Sequence, residues 1–211
     1  MKYFVLIASF ILLSCQTQGN ESNKSPKDVS EINYQALDTA TFAGGCFWCV
    51  EASFEQIQGV IEAVSGYAGG KKSTADYRLV SSGRTDHAEA VQVYYDPSVI
   101  DYETLLEIFF TAHDPTQLNR QGPDVGTQYR SEIFYHDEEQ MKLAEVKMNE
   151  LASEFTDPIV TKLSKLEGFY RAEEYHQDYE EKNPNNGYIV NVSRPKIEKV
   201  AKKFKDLLKS N

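Results

Sequence analysis

The chain has 211 residues, enough for one domain with a substantial core, and its 41% hydrophobic content excludes a disordered chain. A formal net charge of -10, with no basic stripe to offset it, excludes nucleic acid as a partner. The acidity reads as a solvated surface rather than as a substrate signal.

Lys2 gives a short positive start, Tyr3 to Leu13 is nearly all apolar, and Ser14-Cys15 follows Leu12-Leu13. The run is too short to span a bilayer as a mature helix and reads as an export signal. Leu12-Leu13-Ser14-Cys15 resembles the cleavage site of bacterial lipoprotein signals, where the cysteine is acylated and becomes the mature N-terminus. An ordinary secretory signal that happens to hold a cysteine is the other reading. The lipoprotein reading implies removal of residues 1–14 and lipidation at Cys15, anchoring an exported protein to a membrane of the cell envelope without spanning it. Residues 15–38, rich in Gln, Asn, Ser, Lys and Glu, predict a flexible tether. One folded domain is expected over 39–211.

Thr39 to Ala43 predicts a short strand, broken by Gly44-Gly45. Cys46 to Ile57 predicts a helix, with Phe47, Val50, Phe54 and Ile57 at three- and four-residue spacing. Val60 to Tyr67 predicts a strand, and Gly66 to Tyr77 a loop. His87 to Tyr95 alternates: Glu89, Val91, Val93 and Tyr95 share one face, and Ala88, Ala90, Gln92 and Tyr94 the other. Asp96-Pro97 stops it. Tyr102, Leu105, Leu106, Phe109 and Phe110 mark an amphipathic helix with Asp101 as N-cap.

His113 to Arg130 is polar and aperiodic, and a stretch of that kind in a compact domain is usually functional. Ser131 to Tyr135 predicts a strand, Glu138 to Phe155 a helix, Ile159 to Leu166 a strand, and Gly168 to Lys182 an aromatic segment, helical or irregular. A Lys-rich helix is expected after Pro195. The pattern points to an α+β two-layer sandwich, a ferredoxin-like central sheet with flanking helices.

Cys46 stands at a predicted helix start after two glycines, where free backbone N–H groups and the helix dipole favour a thiolate. Three cysteines are an odd number for an exported protein. If Cys15 carries lipid, Cys46 and Cys49 remain as one C-x-x-C pair able to close a disulfide. A buried structural thiol or a static disulfide is the alternative, although so short a loop gains little from a staple. Glu89 is a carboxyl on an otherwise apolar strand face. Burial there would raise its pKa and make it a candidate general acid; a place in water at the open strand end is the other possibility. A zinc site using Cys46, Cys49 and two of His87, His113, His136 and His176 lacks the usual paired spacing.

The run Gly45-Cys46-Phe47-Trp48 with Glu51 resembles the signature of the A-type peptide methionine sulfoxide reductases. So do Gly66-Tyr67 with Gly69-Gly70, Tyr77, Asp86 to Val91, Tyr95-Asp96-Pro97, His113-Asp114-Pro115, Gly126 to Ser131, and Glu174 to Gln177, in that order. The resemblance covers about residues 40 to 195. It implies that Cys46 attacks the sulfur of methionine S-sulfoxide, free or in proteins, and becomes a sulfenic acid. Glu89 would protonate the departing oxygen, with Tyr77 and Tyr129 donating hydrogen bonds to it. Phe47 and Trp48 would hold the substrate methyl, which residue reading alone assigns to core packing. Asp124 and His176 would shape the site. No cofactor or metal is implied, and a monomer is expected.

Many relatives carry a resolving cysteine after a Gly-Tyr pair near the C-terminus, but here Gly187-Tyr188 is followed by Ile189, and no cysteine follows Cys49. Cys49 is therefore expected to condense with the Cys46 sulfenic acid, giving a disulfide that a thioredoxin-like partner reduces. Outside the cytosol those electrons need an exported or membrane-spanning donor. Two rival readings are a thioredoxin-like disulfide oxidoreductase, in which Glu89 has no role, and a tethered binding lipoprotein using the aromatic segment, in which Cys46 has none.

Overall fold

A computed structural model describes residues 34–210. The signal 1–14, Cys15 and the tether as far as residue 33 lie outside the described residues. The domain edge begins inside the expected tether. Tyr34–Ala36 forms a 3-10 turn, with the Tyr34 hydroxyl donating to Glu62 and its ring edge-on to Tyr94.

In chain order the elements are β1 Asp38–Gly44, α1 Phe47–Glu55, β2 Val60–Ala68, α2 Tyr77–Ser81, β3 Ala88–Tyr95 and α3 Tyr102–Ala112. Then come β4 Arg120–Gln121, β5 Asp124–Val125, β6 Ser131–Tyr135, α4 Glu138–Leu151, β7 Lys162–Lys165, β8 Phe169–Arg171, α5 Tyr179–Lys182 and α6 Arg194–Lys203. The fold is mixed α+β: a six-stranded sheet in the order β7-β6-β1-β3-β2-β8 with flanking helices, beside the small β4-β5 hairpin. Every neighbouring pair in the large sheet is antiparallel except β6-β7.

The alternation in β3 divides the core. Val91, Val93 and Tyr95 join the main cluster with Phe42, Phe54, Leu105 and Phe109, beneath α1, α3 and α6. Ala88 and Ala90 face the other way into a small cluster with Ala43, Ala68 and Phe134. Phe42 is the hub of the main cluster, its ring 5.3 Å from Phe54, 4.9 Å from Phe109 and 6.1 Å from Tyr102. Fully burying such a ring stabilises the fold by about 2–3 kcal/mol.

Helix starts follow local chemistry. Asp101 accepts from the Thr104 amide at 2.8 Å, as expected, and Asp137 caps α4 through Gln140 at 2.8 Å. Other boundaries depend on partners elsewhere. The helix expected to Phe155 ends at Leu151 and tightens to a 3-10 turn over Ala152–Glu154. The strand expected over 159–166 shrinks to β7, because the Val160 amide bonds the Pro115 carbonyl instead of a ladder. The aromatic segment splits into β8, a 3-10 turn at Glu174–His176 and α5.

The turn before α1 requires glycine. Gly45 has φ +94°, and a Cβ there would lie 2.6 Å from Gln121 Cβ. The turn delivers Cys46 to the N-cap of α1, just outside the helix expected to include it.

Candidate active site

Cys46 has no side-chain capping bond. The first helical amide, Phe47 N–H, donates instead to Glu89 Oε2 at 3.1 Å. Glu89 lies on β3 opposite Tyr67 of β2 and is 2% exposed, so the water-facing alternative does not apply. Burial pushes its pKa up to about 8, against the Phe47 N–H bond and reinforced by the charge of Asp124. Glu89 is thus a carboxylic acid at neutral pH, placed beside a thiol.

That arrangement corrects one expectation. The helix N–H group expected to lower the Cys46 pKa is committed to Glu89. Burial, then the adjoining Cys49 thiol and the Glu89 charge, push Cys46 well above the ordinary thiol range. Cys49 moves the other way, to about 7. A hydrogen bond from Cys46 favours its thiolate, burial opposes, and the Lys196 charge and the hydroxyls of Ser193 and Tyr188 assist. Cys49 Sγ lies 3.0 Å from Ser193 Oγ. Both cysteines are free thiols, and in the resting pair the negative charge belongs on Cys49.

Tyr77 heads α2, and Tyr129 ends the 3-10 turn Thr127–Tyr129. Burial, then the charges of Glu89 and Cys46, push the Tyr77 phenol up to about 12 and that of Tyr129 higher still. Both remain O–H donors at neutral pH. The loop carrying Tyr129 is held by Arg130, which pairs with buried Glu132 and donates to the carbonyls of Thr127 and Asp86, each at 3.0 Å. Removing one partner of such a buried pair costs about 3–5 kcal/mol.

Aromatic rings line the approach. Phe47 is 1% exposed and leans on Tyr67 and His176, so it belongs to the core as well as to the site. Trp48 stacks on Tyr179 at 3.8 Å, meets Tyr188 edge-on at 5.9 Å, and donates from Nε1 to His176 Nδ1 at 3.2 Å. The acceptor role of Nδ1 puts the His176 proton on Nε2, and burial holds the ring neutral. Asp124 accepts from the Tyr188 hydroxyl. Cys46, Cys49, Glu89, Tyr77, Tyr129, Phe47, Trp48, Asp124 and His176 are thereby gathered into one linked neighbourhood. Among the described residues, no group of three or more His, Cys, Asp and Glu is placed to hold a metal ion.

Several contributors escaped sequence reading. Tyr188 was legible only as half of a Gly-Tyr pair, yet it bonds Asp124, and burial and both thiols raise its phenol far above its usual value. Glu173 accepts from the Tyr67 hydroxyl at 2.7 Å and the Tyr77 amide at 3.0 Å, fixing the start of α2. Glu51, one turn along α1, is 2% exposed, accepts from the Asp178 amide at 3.2 Å, and is pushed by burial to about 8. Glu173 carried no local signal, and Glu51 was legible only as part of the family motif, because their partners lie far away in sequence.

Fold and site together define a class: a mixed α+β protein whose cysteine pair opens a helix beside a protonated carboxyl and two phenol donors. A family model described as peptide methionine sulfoxide reductase matches residues 38–208, and the chain belongs to that family. It is 58% identical over 174 residues to the peptide methionine sulfoxide reductase MsrA of Natronomonas pharaonis, covering 82% of this chain and 98% of that one. The corresponding protein of Thermus thermophilus is 52% identical over 172 residues, covering 82% and 98%. Among solved structures, reduced Mxr1 from Saccharomyces cerevisiae superposes with TM-score 0.69 at 38% identity, over 72% of this chain and 88% of that one. Methionine sulfoxide reductase A of Corynebacterium diphtheriae gives 0.64 at 36%, over 71% and 76%. Mxr1 in complex with Trx2 gives 0.52 at 28%, over 71% and 91%.

Glu51 and Glu89 bind protons more tightly in the native state than in the unfolded chain. Their stabilisation is complete below the unfolded carboxylate pKa and is lost as pH rises through about 8. Urea unfolding should therefore give stability that falls from pH 5 to pH 8. Glu51→Gln should flatten that fall by on the order of 2–3 kcal/mol. An unchanged slope in the variant would contradict the burial argument for Glu51.

Proposed function

We propose that this chain reduces methionine S-sulfoxide, free or in oxidised proteins, to methionine at the expense of thiols, as the names of its relatives indicate for them. The carrying observation is the buried, protonated Glu89 bonded to the amide next to Cys46. A carboxylic acid there can give its proton to a departing oxygen, and the Tyr77 and Tyr129 phenols can donate to the same atom. The sulfoxide polarises as its oxygen takes these hydrogen bonds. Cys46 attacks the sulfur, forming an S–S bond and passing its proton to Glu89 in exchange for the one Glu89 puts on the oxygen. The S–O and S–S bonds to the methionine sulfur then break as the oxygen bonds to Cys46 Sγ, so methionine leaves and Cys46 becomes a sulfenic acid. The Phe47 and Trp48 rings form the apolar wall for the methyl group, Asp124 and His176 fix its edges, and no cofactor is required.

Cys49 resolves the sulfenic acid. Its thiolate attacks Cys46 Sγ, the hydroxyl takes a proton from Glu89 and leaves as water, and a disulfide forms for a thioredoxin-like reductant to open. The Mxr1–Trx2 complex among the structural relatives supports a partner of that kind. The finer topology reads as ferredoxin-like: β1-α1-β2 and β3-α3-β6 interleave as two split β-α-β units in the order β6-β1-β3-β2. The chain acts as a monomer, exported and held to an envelope membrane by lipid on Cys15. That last reading rests on Leu12 to Cys15, and fatty-acid labelling lost in Cys15→Ser is its test. Labelling that survives the substitution refutes it.

With dithiothreitol as reductant, the S sulfoxide should turn over and the R form should not. Glu89→Gln should lower the rate about 100-fold. Reduction of the R form alone, or of neither, would overturn the assignment. Cys49→Ser should still release one methionine per chain but lose thioredoxin-supported turnover. Full turnover in that variant would remove Cys49 from recycling.

A further inference from the structure

The two thiols differ in what surrounds them. Cys46 is 6% exposed and shares its cleft with Glu89, Tyr77 and Tyr129. Cys49 is 1% exposed and points toward the segment entering α6, where Ser193 Oγ sits 3.0 Å from its sulfur. Lys196 follows one helical turn after Ser193, on the same face of α6. Its Nζ is buried, and no hydrogen bond to it exists among the described residues.

A buried ammonium without a partner is costly, and such an atom marks a role to be filled. The cavity that Lys196 lines also contains His113, Gln121, Lys199 and the carboxyls of Asp114, Glu154 and Asp157. Asp114 is already engaged by Thr116 and Gln117, and His113 by the Phe109 carbonyl and Ser131. The charge of Lys196 acts on Cys49, where it favours the thiolate. The other polar groups facing Cys49 are Cys46, the Tyr188 hydroxyl and, at longer range, Glu89.

Resting on the sulfoxide reductase reading, we propose a fixed polarity for the Cys46–Cys49 disulfide: the reductant attacks the sulfur of Cys46, and Cys49 departs as a thiolate held by Ser193 and Lys196. The incoming thiolate of a dithiol reductant forms an S–S bond to Cys46 while the Cys46–Cys49 bond breaks, its electron pair passing to Cys49. The reductant's second thiol then attacks the reductant sulfur of the mixed disulfide. Cys46 leaves with that electron pair and takes up the proton released. One protein disulfide becomes two thiols and one reductant dithiol becomes a disulfide, a two-electron exchange. The opposite polarity fails on two counts. α6 and its lead-in block the approach to Cys49, and Cys46 is the poorer leaving thiolate because burial disfavours its charge. Lys196 is a positioning residue in this scheme, acting through Cys49.

The test forms the disulfide in the full chain with diamide, independently of any sulfoxide. A thioredoxin whose second active-site cysteine is serine then traps the mixed disulfide, and peptide mass mapping locates it. The expected adduct is on Cys46, with Cys49 free to be alkylated. An adduct on Cys49, or no Cys46–Cys49 disulfide under diamide, would overturn the proposal. If the catalytic reading alone is wrong, neither sulfoxide yields methionine, while the trapped adduct still reports which sulfur is attacked. Lys196→Met should slow disulfide opening by thioredoxin about ten-fold and raise the midpoint of thiolate ultraviolet absorbance by about one pH unit. Lys196→Arg should restore both. Wild-type values for Lys196→Met would remove Lys196 from the scheme.

Discussion

The hydrogen bond from the Phe47 amide to Glu89 joins the central sheet to the helix that carries both thiols. It satisfies an amide that a helix start leaves without an internal partner, and it gives a deeply buried carboxyl a donor. The rest of the site follows from it. The β2–β3 register sets Glu89 opposite Tyr67, and Tyr67 in turn donates to Glu173, which receives the Tyr77 amide. One strand position thus reaches, through two further side chains, the phenol on α2. Deep burial disfavours charge on Cys46, and its hydrogen bond to Cys49 favours the thiolate there.

The C-terminal third acts as a lid built by packing. Gln177 substitutes for a strand along β2, accepting from the Ser65 amide at 3.0 Å and donating to the Ser65 carbonyl at 3.0 Å. Glu51 fastens the next residue from beneath. Trp48 is then held between Tyr179, Tyr188 and His176. Glu51 shares its turn of α1 with the reactive residues, so packing of the lid and orientation of the thiols are one problem. An apolar wall fixed in this way limits side-chain freedom before any ligand arrives.

On the proposed recycling, a neighbour in a C-x-x-C pair takes the place of a C-terminal resolving cysteine, which changes the demands on the fold. A distant cysteine would need a mobile tail. Here α6 stays against α1 and α3, within the main core through Val200. On the proposed polarity, its entering turn supplies the hydroxyl of Ser193 and the ammonium of Lys196 for the departing thiolate.

Local pattern alone determined much of this protein. Asp101 and the spacing of Tyr102 to Phe110 define α3 because capping and periodicity act within one turn. Alternation over residues 88–95 defines β3 and puts Glu89 with Val91 and Val93 because side chains alternate across a pleat. Gly44-Gly45 before an apolar helical period marks Cys46 as a helix-terminal thiol, and the ordered motifs name the family. Tertiary structure decided what each group meets. The burial of Glu89 depends on β2 and α1 covering a strand end, which no stretch of β3 encodes. The division of the aromatic segment depends on β2 lending a ladder to Phe169–Arg171. The relative acidity of Cys46 and Cys49 depends on the burial of Cys46, on the hydrogen bond between the two thiols, and on Lys196 far along the chain. Such free energies come from proximity and desolvation, and those exist only once the chain has closed on itself.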